Sequence, residues 1–471
     1  MVFSSLTFLF AFLPVFFLVY FLSGKLFGIR GMNLALLLFS LFFYAWGEPV
    51  YVLLMLFSIC ANYGFGLLAE RAKRKRGVLA LAAAVNLSLI IVFKYSGLFV
   101  SSLNSLSGLG LAVPEIALPI GISFYTFQAL SYVVDVCRGE VKAQRSIISF
   151  GAYISMFPQL IAGPIVRYET VAPQIDSRKP REEDIAWGIR RFLIGLGKKT
   201  LIANTMAATA DALAAYGSRN IGALGSWISV LAFTLQIYFD FSGYSDMAIG
   251  LGRMLGFSYL ENFNSPYCAS SITDFWRRWH ISLSSFFRDY VYIPMGGNRV
   301  SRPRWLLNLF TVWFLTGLWH GASWNFVLWG LYYGLILVAE KLFMGKILKK
   351  SRLLGHLWSL LLIVYGWVIF SRESLAEIAE TTKAMFGAYG FLGSGSINAV
   401  TLLQQSDFNM LFIIAFAAGV LLSAAAGARL KEKLLSPKGS AAGDLFLGAV
   451  FLLSVISLML GSYNPFIYFR F

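Results

Sequence analysis

His280, His320 and His356 are the only histidines in a chain of 471 residues. An ionisable group set in apolar sequence is costly to bury and marks function by default. His320 closes the apolar run Trp305–Trp319, in the string Thr316-Gly-Leu-Trp-His-Gly-Ala-Ser-Trp-Asn325. Gly321 suits a left-handed cap that ends one helix, and Ser323 suits the cap that starts the next. This predicts a sharp turn between two apolar helices, presenting one imidazole to a cavity or an interface. Acid–base chemistry fits such a place; a carbonyl-bonded interfacial histidine is the plainer reading.

His280 lies in Ser271-Ile-Thr-Asp-Phe-Trp-Arg-Arg-Trp-His-Ile-Ser-Leu-Ser-Ser-Phe-Phe-Arg-Asp-Tyr290. At helical spacing Trp276, His280, Leu283, Phe287 and Tyr290 share one stripe, with Asp274, Arg277, Arg278, Ser284, Ser285 and Arg288 largely opposite. One amphipathic interfacial helix is expected, with Asp274 supporting Arg278 four residues on. His280 is then either a packed core imidazole or a functional group. His356 follows a basic loop, begins a span and reads as interfacial.

Asp240 and Asp246, in Tyr238-Phe-Asp-Phe-Ser-Gly-Tyr-Ser-Asp246, follow an apolar run, so their carboxylates need partners. Pairing with the central arginines is the favoured reading; orienting a histidine or lining a substrate path is the other. The three cysteines, Cys60, Cys137 and Cys268, form neither a disulfide framework nor metal-type spacing. Cys137, beside Arg138, is the best thiol nucleophile if its pKa is lowered. A glycine-rich nucleotide loop, HExxH and G-x-S-x-G are all missing, which argues against an ATP-driven pump or a serine hydrolase.

These groups need elements to hold them, and composition says of what kind. Hydrophobic residues make up 58% of the chain, aromatic residues 16% and charged residues 13%, with mean hydropathy +0.69. That is about half the charge of a soluble domain. An all-α polytopic membrane protein follows. The net charge of +16 sits in short clusters between apolar runs, as loops require, so no nucleic-acid partner is expected. Apolar runs cover 3–22, 32–47, 50–68, 78–98, 116–136, 147–165, 223–241, 305–320, 324–344, 354–370, 408–427 and 444–462. Some are interrupted, as by Pro158 and Pro164. About 10–12 transmembrane helices are expected, with one or two re-entrant or interfacial pieces. The first run has no charged segment before it and reads as a retained span rather than a signal peptide.

The basic loops 23–31, 70–77, 138–145, 341–352 and 429–438 belong in the cytoplasm, which puts loop 99–115 and both termini outside. Residues 166–200 are polar and basic, with an amphipathic helix from about Glu182 whose first turn is acidic. The chain divides into N-terminal spans at 1–145, a centre at 146–340 and C-terminal spans at 341–471, within one membrane domain.

Several strings together resemble the membrane-bound O-acyltransferases, and among them the bacterial alginate O-acetylase subgroup. They are Pro119-Ile-Gly-Ile-Ser-Phe-Tyr-Thr-Phe-Gln128, Phe157-Pro-Gln-Leu-Ile-Ala-Gly-Pro-Ile165, Asp240-Phe-Ser-Gly-Tyr-Ser-Asp246 and Asn262-Phe-Asn-Ser-Pro-Tyr267. The series continues with Phe275-Trp-Arg-Arg-Trp-His280, Phe287-Arg-Asp-Tyr-Val-Tyr-Ile-Pro294, Trp319-His-Gly321 and Phe466-Ile-Tyr-Phe-Arg-Phe471. The likeness extends to the D-alanyl transferases of teichoic acid modification, though Ile293-Pro-Met-Gly-Gly-Asn-Arg299 is more like the polysaccharide acetylases.

The resemblance implies a ring of tilted helices around a central funnel and tunnel, with His320 as catalytic histidine and His280 lining the same passage. Asp240, Asp246, Ser242, Tyr244, Trp276, Arg277, Arg278, Trp319 and Asn325 are expected to line or support that passage. The donor implied is acetyl-CoA or another acyl thioester, with no metal. The acceptor implied is an exported polysaccharide or an extracytoplasmic acetyltransferase partner. His320 would act as base, while His280 or a nearby Ser, Asn or Trp N–H would donate to the oxyanion. An acyl or lipid transporter without chemistry is the rival class.

Overall fold

The computed structural model describes residues 1–393, 410–436, 440–461 and 463–467. Among them the regular elements are helices, with no strand. This is the fold class expected where backbone groups must bond within their own segment. Seven helices are long and apolar enough to cross a membrane, or eight if the bent pair Met410–Ser423 and Ala425–Leu434 makes one span.

The count falls below the number of apolar runs for identifiable reasons. The Ile122–Arg138, Ile147–Ser155 and Arg302–His320 helices are too short or too polar to qualify by length and composition. Pro158 opens a separate four-residue helix, Phe157–Leu160. Conversely, the stretch Phe8–Gly47, a single span in that count, is two helices. Gly28 has a φ of +62°, which glycine adopts cheaply and other residues do not. The chain reverses there, so Phe8 meets Phe43 at 5.9 Å and Phe12 meets Phe39 at 5.8 Å between ring centres. Runs 3–22 and 32–47 become the arms of an antiparallel hairpin.

The chain packs as two compact units, Met1–Phe192 with Ser245–Leu260, and Leu193–Tyr244 with Glu261–Phe471. In the first unit the basic loops gather at one end. Glu70 pairs with Arg145 and accepts from the Ala143 amide, and Cys137 Sγ lies 3.8 Å from the Lys75 carbonyl oxygen. At the other end Tyr51 donates to the Ala117 carbonyl, and the Ile120 amide donates to Glu48. The helix Glu182–Gly197 begins where expected, with Glu182, Glu183 and Asp184 in its first turn. Arg191, buried, donates to Asp246 at 2.6 Å.

In the second unit Lys199 pairs with Asp240 at 2.6 Å, both buried. The helices Arg302–His320 and Trp324–Ala339 run antiparallel at very close range. Gly317 lies against the Phe326 carbonyl and Gly330 against that of Trp313, where any β-carbon would overlap backbone. Small residues at such crossings let helices approach in a membrane. Its basic segments also share one end. There Lys431 meets Glu261, His356 Nδ1 lies 3.2 Å from the Ala269 carbonyl oxygen, and Glu340 meets Ile272. Lys438 of the loop 429–438 lies outside the described residues.

Candidate functional site

His320 is the last residue of its helix and is buried, 7% exposed as a residue. The turn is sharp, as predicted, but it is made differently. Gly321 is extended at φ −170°, not left-handed, and Ser323 makes no side-chain cap at the start of Trp324–Ala339. Gly321 is small for another reason, since a β-carbon there would collide with the Phe326 ring. The His320 ring is walled by Trp329 at 5.0 Å, Phe370 at 5.2 Å and Trp319 at 4.9 Å.

His280 departs further from expectation. The single amphipathic helix is two seven-residue helices, Ile272–Arg278 and Ile281–Phe287, and His280 is the break between them at φ +44°. A non-glycine residue in that region is strained and tends to mark a functional position. The heptad-like stripe was misleading because the backbone here obeys Asn262 rather than helix periodicity. The Ile281 amide donates to the Asn262 carbonyl, and the Ser282 amide and hydroxyl both donate to Asn262 Oδ1, at 3.2 and 2.9 Å.

Those bonds also fix the state of His280. An atom that accepts from a backbone N–H must be the amide oxygen, which fixes the Asn262 side-chain orientation. His280 Nδ1 lies 3.3 Å from this oxygen, so Nδ1 carries the proton. Complete burial holds the imidazole well below the usual histidine range, hence neutral. Nε2 is then a lone pair. His280 can accept a proton or a hydrogen bond there, but it cannot donate to an oxyanion from Nε2.

The two imidazoles share one neighbour. The Trp319 ring contacts His280 at 5.7 Å and His320 at 4.9 Å, both near edge-on. Phe241 closes on His280 from the other side at 4.6 Å. The Ile272–Arg278 helix is fastened at its start by Glu340. This buried carboxylate accepts from the amides of Ile272 and Thr273, the Thr273 hydroxyl and Trp358 Nε1.

Of the other candidates, Trp276 stacks edge-on with Trp313, Trp329 and Tyr333 beside the histidines. Asn325 is buried and donates to the Arg372 carbonyl at 2.9 Å, which ties the start of its helix to the end of the Arg352–Ser371 helix. Arg278 pairs with Asp274 at 2.9 Å, as the spacing predicted. Arg277 is exposed. Asp240 holds Lys199 and accepts from the Ile467 amide; Tyr244 packs on Phe466 at 4.9 Å, and Ser242 is buried. These support the C-terminal segment more directly than the imidazoles. Residues 468–471 of the terminal string lie outside the described residues. Asp246 belongs with Arg191 in the first unit. Burial pushes the Cys137 thiol up, which adds nothing to the case for a thiol nucleophile.

Asn262 and Glu340 were missed. Asn262 opens the string Asn262-Phe-Asn-Ser-Pro-Tyr267, yet its target lies 18 residues away. Glu340 gave a signal, a lone carboxylate within the apolar run 324–344, and its partners lie nearly 70 residues earlier.

Comparison with known proteins gives this geometry its context. The model of the membrane-bound O-acyltransferase family matches residues 140–371, the stretch that carries both histidines. A probable alginate O-acetylase from Pseudomonas putida is 40% identical over 494 residues, covering all of both chains. A peptidoglycan O-acetyltransferase from Helicobacter pylori is 35% identical over 87% of this chain and 85% of its own. A teichoic acid D-alanyltransferase from Bacillus subtilis is 28% identical over 54% of this chain and 68% of its own. Likeness over the full length, together with a multi-pass helical fold, sets aside a transporter without chemistry, and the chain belongs to the membrane-bound O-acyltransferase family.

Proposed function

We propose that this enzyme takes an acetyl group from a cytoplasmic thioester, acetyl-CoA being the donor that fits, and moves it toward hydroxyls of an exported polysaccharide. Transfer is either direct or by relay through an extracytoplasmic acetyltransferase. The basic loops 70–77, 138–145 and 341–352 would lie in the cytoplasm of a cell whose inner membrane holds the chain, with both termini outside. The distance between ends supports this arrangement. His320 and Glu340 bracket the 16-residue helix Trp324–Ala339, which separates them by about 24 Å. The donor would enter at the basic end and the acceptor at the other.

The observation that carries the reading is the Trp319 ring set between two buried imidazoles. Acyl transfer needs placement and a base more than it needs a cofactor. His320 takes the proton of the acceptor hydroxyl as its oxygen attacks the thioester carbonyl. The new carbon–oxygen bond forms, the carbon–sulfur bond breaks, and the departing thiolate receives a proton. His280, its Nδ1 held by Asn262, offers the Nε2 lone pair as a second acceptor rather than as the oxyanion donor. Relatives named for acetylation of alginate and of peptidoglycan support a polysaccharide acceptor. The D-alanyl relatives match more weakly and over less of the chain.

The test is His320→Gln, assayed by thioester turnover in purified, monodisperse protein and by mass spectrometry of the cell's polysaccharide. Turnover should fall by about 10²–10⁴-fold, the usual contribution of a general base. Near-normal acetylation at equal protein level would remove His320 from the mechanism.

A further inference from the structure

Lys199 and Asp240 are both buried and lie 2.6 Å apart. A buried ion pair is by itself a poor stabiliser, because desolvation offsets most of the attraction. This pair has further partners. Lys199 Nζ also donates to the Pro465 carbonyl, and Asp240 Oδ2 accepts from the Ile467 amide at 2.9 Å. Cation and anion thus read a carbonyl and an amide two residues apart, both on the main chain. Two side-chain bonds extend the hold. Asn204 Nδ2 donates to Asn464 Oδ1 at 3.2 Å, and the Tyr463 hydroxyl donates to Asp211 at 2.9 Å. Phe466 and Ile467 are buried, with Phe466 packed on Tyr244. Non-helical backbone can be buried where its polar groups are met in this way. Pro465 loses nothing by lacking an N–H, since only its carbonyl is read; position 467 must keep one.

The same turn of helix also faces His280. Asp240 and Tyr244 lie one turn apart on one face of the Ser218–Met254 helix. Gly243 meets the Gly195 carbonyl and the Lys199 amide where two backbones cross. Phe241, on the far side of the helix from Gly243, reaches the His280 ring at 4.6 Å. The crossing at Gly243 sets how near the helix comes to its neighbour, and the bonds at Asp240 set its rotation. That rotation aims Phe241. Asn262 holds His280 Nδ1, and Phe241 closes the other side of the ring. A turned Phe241 would let the imidazole tilt away from Trp319, the ring it shares with His320. We propose that residues 463–467 are a strap, clamped through its main chain by Lys199 and Asp240, and that the clamped strap positions His280 through Phe241. Lys199, Asp240 and the Ile467 amide are positioning groups, acting through Phe241 rather than on the reacting atoms. The inference rests on the reading of His280 as part of the transfer site.

The experiment uses full-length protein in detergent, with acetyl-CoA turnover, thermal melts and the nitrogen-15 signals of labelled histidine as readouts. Only three histidines contribute to that spectrum, and His280→Ala assigns the one that matters. Ile467→Pro deletes the amide that Asp240 accepts from and leaves the ion pair in place. It should lower kcat about 10–100-fold at unchanged KM, since a misplacement of about 1 Å costs up to about 100-fold. The His280 signal should shift or broaden, while the melting temperature holds. Ile467→Val, which keeps the amide, should restore kcat and the signal. The exchange of Lys199→Asp with Asp240→Lys supplies the second test. It keeps the pair but turns an anion toward a carbonyl and a cation toward an amide, so turnover should stay low in the protein that assembles. Full turnover in the exchange, or equal kcat in Ile467→Pro and Ile467→Val, would overturn the proposal. So would losses that track melting temperature while the His280 signal stays unmoved, because the segment would then be structural. If wild type consumes no thioester with acceptor supplied, the proposed function falls, and the His280 signal alone then decides whether the strap positions the ring.

Discussion

At position 280 the backbone and the imidazole make opposing demands, and substitutions separate them. A left-handed conformation costs a β-carbon-bearing residue about 1–2 kcal/mol, so His280→Gly relieves the backbone while removing the ring. It should lose thioester turnover without losing thermal stability in proportion to the aromatic contacts given up with Phe241 and Trp319. Turnover assays and thermal melts on the same preparation read the two effects separately. Asn262→Ala should do the reverse damage: it strands the Ser282 amide and frees Nδ1. A loss of about 1–3 kcal/mol is expected from the orphaned donors, together with a lowered kcat. Full activity in Asn262→Ala would show that the tautomer is set elsewhere. On the proposed reading, in which both imidazoles serve one step, His280→Ala on top of His320→Ala should add little, the non-additivity expected of groups acting as a unit. Independent, multiplying losses would argue for separate sites.

Which parts of this arrangement could be read beforehand follows from how far each contact reaches along the chain. The hairpin around His320 was legible because its determinants are local: an apolar run, a histidine, a glycine and a second apolar run within ten residues. The Asp274–Arg278 pair was legible for the same reason. The break at His280 was not, since the helical stripe across it is good and the force that breaks it comes from Asn262. The short helix Ile272–Arg278 depends equally on a distant residue. Its first-turn amides end on Glu340, so Glu340→Ala should unfasten it and expose segment 262–288 to hydrogen exchange, with turnover falling as Trp276 and His280 lose their setting. Glu340→Gln, which keeps one acceptor oxygen, should restore part of both. Unchanged exchange in Glu340→Ala would mean that packing alone holds the helix. The close crossing of Arg302–His320 on Trp324–Ala339 is a similar device, and Gly330→Val should displace His320 by forcing the two backbones apart.

For the molecule as a whole, orientation is the expectation with the widest consequences. Thiols introduced at position 74 should be protected from impermeant reagents in intact cells, and one at position 104 should react; labelling of position 74 from outside inverts the topology. The ion pairs buried in the fold bear on how that topology is reached. In two of them the cation comes first in the chain: Arg191 precedes Asp246, and Lys199 precedes Asp240. Translation therefore delivers the long cations first. Lysine and arginine can stretch toward the headgroups while they wait, whereas a short carboxylate cannot. Neither Asp246 nor Asp240 has to enter the bilayer before its cation has been made. The exchange Lys199→Asp with Asp240→Lys keeps the pair but reverses the order of arrival. It should lower the yield of inserted protein in pulse-chase experiments, even where the molecules that do assemble melt close to the wild-type temperature.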